Sequence, residues 1–343
     1  MTRPGPGSRG DPVVRFAPAK LNLTLAVVGR RPDGYHALHS VMVPLVLGDR
    51  LSLSVAASGR DTLHVEGFDL GPVEANLVVR AIGAVRAALA ATGTPTPPLA
   101  ARLDKRIPVA AGLGGGSSNA AAALDGALEA WGAEVDPDAQ ATIAAGLGSD
   151  VPFFLAGGPA LVEGRGERVT PLRAPLGEPV GVLLVTPAIA VETADVFGAF
   201  VAGGPAAAPA ASATRLTSAH LAAELAAGLR GADLVSRSGV LAAANDLAAA
   251  AAVVAPGLVS FRRALTRVLG RPVGLSGSGP TLWAVYPSLK AATGAADAAR
   301  AAVADDRLPA IGAGPPFIAV TAIAGAAQDS AAHTSSMSDG RTG

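Results

Sequence analysis

An early segment of the chain alternates between apolar and polar residues. Residues 20–27 read KLNLTLAV, and the apolar members on one side are Leu21, Leu23, Leu25 and Val27. A period of two residues is that of a β-strand with one buried face. The pattern predicts a strand whose leucines enter a core, while Lys20 and Asn22 place a cation and an amide side by side on the other face.

Similar patterns continue through the first half of the chain. They predict strands over residues 13–29, 49–57 and 98–107 and helices over residues 76–93, 117–132 and 137–148. A turn-rich segment at 30–36 and an apolar segment at 41–47 separate the first two strands. The helix over 117–132 is expected to begin from a serine or asparagine N-cap and to end at Gly132.

The character of the sequence changes near residue 172. Prolines and a glycine there precede a new apolar strand at 180–187. The insert at 202–215, rich in alanine, proline and glycine, is expected to be a flexible loop. After it we expect two helical stretches. A glycine turn that enters a strand is then expected at 275–286.

These elements predict an α+β protein of two domains, at 12–172 and 173–326. Each domain is expected to be a sheet with helices on one face. A chain of 343 residues exceeds one comfortable core, which favours the division. The ends at 1–11 and 327–343 are poor in large apolar residues and are predicted to be disordered tails.

The apolar character of the chain comes from small side chains. The mean hydropathy is +0.41, yet aromatic residues make up only 3%. The most apolar stretch, near 247–259, is shorter than the roughly 20 residues that a bilayer requires, so no membrane association is expected. Residues 1–12 lack the apolar core of a signal peptide, which makes the cytoplasm the expected location.

Charge and residue types narrow the class of partner. The 27 basic and 27 acidic residues cancel, which argues against a nucleic-acid partner and leaves small molecules. There is no cysteine, so disulfides and thiolate sites are excluded. His36 and His39 lack a third ligand at metal spacing, and no metal ligand is assigned from spacing. Lysine is rare, and it occurs at Lys20, Lys105 and Lys290.

A glycine-rich segment, PVAAGLGGGSS at 108–118, precedes an alanine-rich helix. Unpaired N–H groups at a helix N-terminus attract anions, and glycine lets the backbone approach a phosphate closely. The Walker A pattern is absent, because serines and no lysine follow the last glycine. The dinucleotide fingerprint is also absent, because Ser117 stands where its third glycine is required. A phosphate loop of another kind is predicted, and a tight turn with a serine N-cap is the alternative.

Two charged residues are candidates for catalysis. Lys20 lies next to apolar residues on its strand, and its alternative interpretation is a solvated strand residue. Asp150 precedes the apolar VPFFL segment, and its alternative interpretation is a helix N-cap or turn residue. A carboxylate beside a partly desolvated site, with a lysine as its partner, is typical of a general base.

Six motifs occur in the order found in a known enzyme family. They are PAKLNL (18–23), RPDGYHALHSV (31–41), IPVAAGLGGGSSNAAAAL (107–124), GSDVPFF (148–154), GRGE (164–167) and LSGSGPTL (275–282). Together they resemble the GHMP small-molecule kinases. The resemblance implies an N-terminal domain like ribosomal protein S5 domain 2, a C-terminal ferredoxin-like domain, and an active site in the cleft between them.

The resemblance also implies a nucleotide site. The residues that would surround the ATP phosphates are Pro108, Val109, Ala110, Ala111, Gly112, Leu113, Gly114, Gly115, Gly116, Ser117 and Ser118. Asn76 would lie near the adenine, and a helix N-cap is an equally good interpretation of it. Lys105 is near enough to contact nucleotide, but a solvated strand lysine is the preferred interpretation. Ser118 is a candidate ligand for Mg²⁺.

Within the family, RPDGYH after PAK-x-N is similar to the kinases of 4-diphosphocytidyl-2-C-methyl-D-erythritol, an alcohol linked to cytidine diphosphate. This likeness implies that Tyr35 stacks on the cytosine and that His36 hydrogen-bonds to the edge of the base. Asn22, Thr193 and Phe197 match further substrate-side positions, although Phe197 also fits a core residue.

The implied reaction is transfer of the ATP γ-phosphoryl group to the 2-hydroxyl of that alcohol, a step towards isoprenoid precursors. Asp150 would accept the hydroxyl proton, Lys20 would orient Asp150, and Mg²⁺ would accompany ATP. A monomer or a homodimer is expected. The alternatives are another GHMP kinase acting on homoserine or mevalonate, a nucleic-acid-binding protein that shares the first fold, and a nucleotide sensor without catalysis.

Overall fold

The computed structural model describes residues 11–56, 59–68, 75–203 and 213–325. The predicted disordered tails, apart from residue 11, lie outside these residues, as does most of the predicted flexible insert. The described part of the chain forms two β-sheets with helices packed on them. This arrangement confirms the α+β class.

The first sheet contains seven strands. They are β1 (Val13–Asn22), β2 (Ala26–Arg30), β3 (His36–Val55), β4 (Thr62–Gly67), β5 (Leu99–Lys105), β6 (Ala160–Gly164) and β7 (Arg168–Pro171). The order is β4-β5-β3-β6-β7, and β1 and β2 also pair with β3. The sequence predicted an apolar segment at 41–47 and a separate strand at 49–57. Both belong to one 20-residue strand, β3.

Four helices accompany the first sheet: α1 (Leu77–Ala90), α2 (Gly115–Trp131), α3 (Pro137–Leu147) and α4 (Val151–Ala156). The three predicted helices of this half are present. The expected serine or asparagine N-cap of α2 is wrong, because the helix begins earlier, after Gly114, which has a left-handed backbone and no side-chain cap. The predicted end at Gly132 is correct, since that glycine takes the left-handed C-cap conformation.

The second sheet is built from β8 (Gly181–Thr186), β9 (Gly274–Leu275), β10 (Leu282–Tyr286) and β11 (Phe317–Ala322) in the order β11-β8-β10-β9. Its helices are α5 (Thr193–Ala202), α6 (Ala213–Ala226), α7 (Gly231–Ser236), α8 (Ser238–Ala243), α9 (Ala248–Val254), α10 (Gly257–Leu269) and α11 (Leu289–Ala304). Five described helices, α6 to α10, follow the insert instead of the expected two. The alanine-rich sequence gives little contrast between faces, so the breaks between these short helices are not visible in it.

The second sheet is buried on both faces, which corrects the expectation of helices on one face. Leu183 and Val185 of β8 pack in a core with α9, α10 and α11, whereas Val182 and Leu184 pack in a second core. That second core also holds Leu21 and other side chains of the first sheet, so it is shared by the two halves.

The sheets also touch through their backbones at a bulge in β3. Residues 45–47 of β3 lie opposite the single residue Ala19, because Pro18 pairs with Gly48 and Lys20 pairs with Pro44. The bulged residues meet the end of the last described strand: Leu45 bridges Ile323, and the Leu47 N–H donates to Thr321 Oγ1 at 2.8 Å. The predicted domain boundary near residue 172 falls between β7 and β8 and stays a prediction.

Candidate active site

A cleft of about 940 Å³ opens between the two halves of the chain. The sequence-predicted site residues that line it are Lys20, Asn22, Tyr35, His36, Asn76, Pro108, Val109, Ala110, Ala111, Gly112, Leu113, Gly114, Gly115, Gly116, Ser117, Asp150, Thr193 and Phe197. Ser118 is the exception: its side chain is buried and its hydroxyl has no hydrogen-bond partner among the described residues. The structure therefore brings residues from both halves into one site.

The glycine loop ends at the N-terminus of α2, which faces the cleft. Side chains cap the first N–H groups of α1 and α3, through Asn76 and Asp136 respectively, but Gly114 gives α2 no such cap. The first N–H groups of this 17-residue helix are thus left for a ligand, at the positive end of the helix dipole. This geometry suits a phosphate group.

The loop packs against a turn from the second half, Ser276–Thr281. The Ser276 hydroxyl donates to Gly112 O at 2.9 Å, and the Thr281 N–H donates to Ala111 O at 3.3 Å. Gly112 has a φ of +74°, and a Cβ there would meet the backbone oxygens of Ser276 and Gly279. The sequence predicted a glycine turn here and included it in the motif LSGSGPTL. It did not predict that this turn packs against the glycine loop.

Gly114 is required by both conformation and space. Its φ is +70°, and a Cβ would lie 2.9 Å from Lys20 Cγ and 2.9 Å from Phe154 Cζ. We expect Gly114→Ala to lower kcat/KM by roughly 10- to 100-fold, because either the loop or Lys20 must move. Steady-state kinetics with varied ATP measure this effect. Gly132→Ala is the matched control, since its φ is +60° but a Cβ there meets nothing within 4 Å; an equal loss of activity in that variant would contradict the assignment.

Lys20 and Asp150 meet in the cleft. Lys20 Nζ lies 3.5 Å from Asp150 Oδ2 and donates a 2.6 Å hydrogen bond to Asn22 Oδ1. The Lys20 side chain is 5% exposed, so its interpretation as a solvated strand residue is wrong. Asp150 stands at the N-cap position of α4, as its alternative interpretation expected, but its side chain makes no cap hydrogen bond and lines the cleft.

The strand that carries Lys20 is tied to the glycine loop. The Lys20 N–H donates to Leu113 O at 2.9 Å. On the other side, Gly277 comes so close that a Cβ on it would lie 3.4 Å from Lys20 Nζ and 3.3 Å from Asn22 Oδ1. The ammonium group of Lys20 therefore lies between Asn22 and Asp150 of the first half and the Gly277 backbone of the second.

A buried cluster around Asp49 supports the beginning of the glycine loop. Asp49 is fully buried and accepts hydrogen bonds from Lys105 Nζ (2.6 Å), Asn119 Nδ2 (2.8 Å) and the N–H groups of Arg106 (2.7 Å) and Ile107 (2.8 Å). Burial lowers the pKa of Lys105, while the attraction of Asp49 acts in the opposite direction. The preferred interpretation of Lys105 as a solvated lysine is wrong. Asp49 was missed, because nothing near it in the sequence indicates a partner 56 residues away.

Aromatic side chains collect at the other end of the cleft. The His36 ring stacks on Phe197 with 5.0 Å between centroids and 19° between planes. Tyr35 is half exposed, and the Arg165 guanidinium lies 4.8 Å from its ring centroid. Burial, and then the positive charge of Arg30, lower the pKa of His36, which favours a neutral imidazole. Arg165 was missed as a site residue, although it stands in the GRGE motif.

The remaining predicted residues have defined local partners. The Asn76 side chain accepts from the Val78 N–H, so it is the N-cap of α1, and it also lines the cleft. The hydroxyl of Thr193 is hydrogen-bonded to that of Ser278 at 3.0 Å. These contacts leave both residues at the cleft surface.

The cleft offers few groups for a metal ion. Among the described residues no cluster of three or more histidine or carboxylate side chains could hold one. Asp150 is the single carboxylate in the described lining of the cleft. A divalent ion would depend on the oxygens of a bound phosphate for most of its ligands, which is usual for Mg²⁺.

Comparison with known proteins decides the family. Residues 76–158 match the model of the GHMP kinases N terminal domain. A protein of Pelotomaculum thermopropionicum named 4-diphosphocytidyl-2-C-methyl-D-erythritol kinase is 40% identical over 82% of this chain and 91% of its own length. The chain belongs to the 4-diphosphocytidyl-2-C-methyl-D-erythritol kinase family of GHMP kinases. The resemblance seen in the sequence is confirmed, and ATP is the co-substrate of such a kinase.

Solved structures agree with membership of this family. A crystal structure of a 4-(cytidine 5'-diphospho)-2C-methyl-D-erythritol kinase is 34% identical, with a TM-score of 0.63, over 90% of this chain and 99% of that one. A homoserine kinase from Cytophaga hutchinsonii has the same TM-score at 19% identity, over 92% of this chain and 96% of that one, and shows the shared fold alone. No helix in the described part of this GHMP kinase is long and apolar enough to cross a bilayer.

Proposed function

We propose that the protein transfers the γ-phosphoryl group of ATP to the 2-hydroxyl of 4-diphosphocytidyl-2-C-methyl-D-erythritol, with Mg²⁺ as the accompanying ion and the cytoplasm as the location. The observation that carries this proposal is the cleft itself. It joins an uncapped helix N-terminus, a Lys20–Asp150 pair and an aromatic cluster, in a chain 40% identical to a relative that bears this name.

The two ends of the cleft fit the two substrates of the reaction. The glycine loop and the N-terminus of α2 supply N–H groups and positive potential for the ATP phosphates. Tyr35 and His36 lie at the opposite end, on the segment that precedes and begins β3. A cytosine ring held there would leave its diphosphate and alcohol directed towards Lys20 and Asp150.

The Lys20–Asp150 pair performs the proton transfer in this proposal. Asp150 Oδ accepts the proton of the 2-hydroxyl as its oxygen attacks the γ-phosphorus and the bond to the β-phosphate oxygen breaks. Lys20, 3.5 Å away, orients the carboxylate and places positive charge beside the transferring group. Asn22 fixes the ammonium through its 2.6 Å hydrogen bond. Its buried amide supports a positioning role more than direct contact with substrate.

Mg²⁺ supplies charge neutralisation on the β- and γ-phosphates when it is bound with ATP. The residues that fit it are Asp150 and the hydroxyl of Ser117, both in the lining of the cleft. Ser118 would need to leave its buried position to serve as a ligand, so it fits the ion less well than Ser117.

Release of ADP from Mg-ATP with a panel of alcohols tests the proposed function. The panel contains the diphosphocytidyl methylerythritol, homoserine, mevalonate and galactose. Turnover with the cytidylyl compound alone is expected, because only that acceptor carries a base for Tyr35 and His36. Turnover with another member alone would show kinase activity on a substrate other than the one proposed. No ADP release with any of the four alcohols would contradict catalysis.

Tyr35→Ala is expected to raise KM for the cytidylyl acceptor by roughly tenfold or more, because stacking of a base on an aromatic ring contributes about 1–3 kcal/mol. KM for ATP should stay unchanged, since Tyr35 lies at the far end of the cleft. Tyr35→Phe is the matched control, as it keeps the ring and should keep the acceptor KM. Equal increases in both KM values would contradict a role in binding cytosine.

A further inference from the structure

A second groove, of about 530 Å³, lies on the opposite side of the wall that closes the active cleft. The core residues Leu275 of β9 and Leu282 of β10 lie at its base and are almost fully buried, whereas Val259 of α10 is an exposed apolar side chain in its lining. One side is formed by α9, where Ala248 and Ala252 are too small to fill the space. The groove exists because alanines stand where larger side chains would close the gap between α9 and α10.

The other side of the groove is a positively charged face of α10. Arg262, Arg263, Thr266 and Arg267 follow the spacing of one helical face, and all four line the groove. No aspartate or glutamate is among the described lining residues. The groove therefore combines small apolar side chains of α9 and α10 with a rim of three guanidinium groups.

The charges on this rim have no counterions in the described part of the chain. Arg262 is half-buried and donates to two backbone carbonyls, Val273 O and Ala242 O, each at 2.7 Å. Burial lowers the pKa of Arg262, and no carboxylate offsets that cost. Arg263 and Arg267 are exposed, and neither forms an ion pair with a described residue. Half-buried charges are normally paired with an opposite charge, which Arg262 lacks among the described residues, and the two exposed arginines beside it are available to an anion.

We propose that the groove is a regulatory site for a small amphipathic anion, an alkyl phosphate or alkyl diphosphate. The guanidinium groups would bind the phosphate oxygens, which they match in geometry and charge. The alkyl chain would cover Val259 and the alanines of α9. A concave groove of this volume fits one such molecule, whereas a membrane surface would require a convex or flat face.

The position of the groove connects it to the active cleft. Leu247 lines the cleft and its neighbour Ala248 lines the groove, while Leu275 lines the groove and Gly277 lines the cleft. Asn245 joins these segments, because its Nδ2 donates to both Leu275 O and Gly277 O at 2.9 Å. An occupant of the groove would thus contact the segments that hold the cleft wall.

Helix α9 extends this connection to the acceptor end. It packs against α5, the helix that carries Thr193 and Phe197. A ligand that shifts α9 would displace the side chain on which His36 stacks. The expected kinetic effect is therefore on KM for the acceptor.

Calorimetric titration of the full chain with n-octyl phosphate, below its micelle-forming concentration and with the cleft filled by a non-hydrolysable ATP analogue, tests the binding. Inorganic phosphate and 1-octanol are the ligand controls, and both should bind far more weakly. The double variant Arg263→Ala, Arg267→Ala should weaken octyl phosphate binding by about tenfold or more, since each charge-assisted contact is lost. Arg300→Ala removes an exposed arginine on α11 and should leave binding unchanged.

Ala252→Leu gives an independent test, because it fills the groove without removing a charge. It should also abolish binding while thermal unfolding stays that of the wild type. Three results would overturn the site. They are octyl phosphate binding that is equal in the wild type and all variants, octanol binding as strong as that of octyl phosphate, and binding to anionic vesicles without binding to octyl phosphate.

Kinetics then separate this site from the proposed function. A change in acceptor KM with octyl phosphate, absent in the double arginine variant, is expected for a regulatory site. An unchanged KM despite binding would overturn regulation. The calorimetric result does not depend on which alcohol the enzyme phosphorylates, so a failure of the proposed substrate leaves it intact.

Discussion

Asp150→Asn should lower kcat by roughly 10²- to 10⁴-fold, the usual contribution of a general base. Asparagine keeps the shape of the side chain but cannot take a proton from the acceptor hydroxyl. The fold should survive, because Asp150 makes no cap hydrogen bond and Lys20 keeps its bond to Asn22. Single-turnover kinetics at saturating ATP and acceptor measure the chemical step directly.

Asp297→Asn provides the matched control for this experiment. It is the same substitution at an exposed carboxylate on α11, where the ion pair with Arg300 is solvated. Its kcat should equal that of the wild type. An Asp150→Asn enzyme that keeps most of its turnover would remove Asp150 from the proton transfer and leave Lys20 as a binding residue only.

Asp49→Ala should lower the free energy of unfolding by about 3–5 kcal/mol, the usual cost of leaving one partner of a buried ion pair alone. The substitution removes the acceptor of four hydrogen bonds, from Lys105, Asn119 and two N–H groups at the beginning of the glycine loop. KM for ATP should rise in parallel, because the loop loses this anchor. Chemical denaturation and ATP-dependent kinetics measure the two effects.

Two further variants make the Asp49 result specific. Asp104→Ala removes a neighbouring exposed carboxylate, which pairs with Arg106 on the surface, and should change stability by less than about 1 kcal/mol. Adding Lys105→Met to Asp49→Ala should recover part of the loss, since no unpaired ammonium then remains buried. A loss equal to that of Asp104→Ala would show that the buried pair contributes nothing beyond a surface contact.

The sequence predicted those parts of the site that leave a local pattern. Alternation located the strand of Lys20, and the run of glycines located the phosphate loop. Both signals come from neighbouring residues, whose spacing is fixed by the geometry of a strand or of a helix start. The motif order then identified the family, which the relatives confirm.

What the sequence did not predict depends on contacts between distant segments. Asp49 and Lys105 are 56 residues apart, and the contact of Ser276 with Gly112 spans 164 residues. Each of these residues alone resembles an ordinary strand or turn residue. The continuity of β3 was also missed, because Pro44 and Gly48 suggest breaks that the pairing with β1 and the bulge accommodate.

The bulge in β3 has a consequence for how the chain folds as it is made. Leu47 N–H and Pro44 O find their partners in Thr321 and Ala324, near the end of the described chain. During synthesis, the first sheet leaves the ribosome with these groups unpaired and with the leucines of its shared core uncovered. The last described strand, β11, is therefore needed to complete the first sheet, and a chain that stops before it leaves the strand of Lys20 beside an uncovered core.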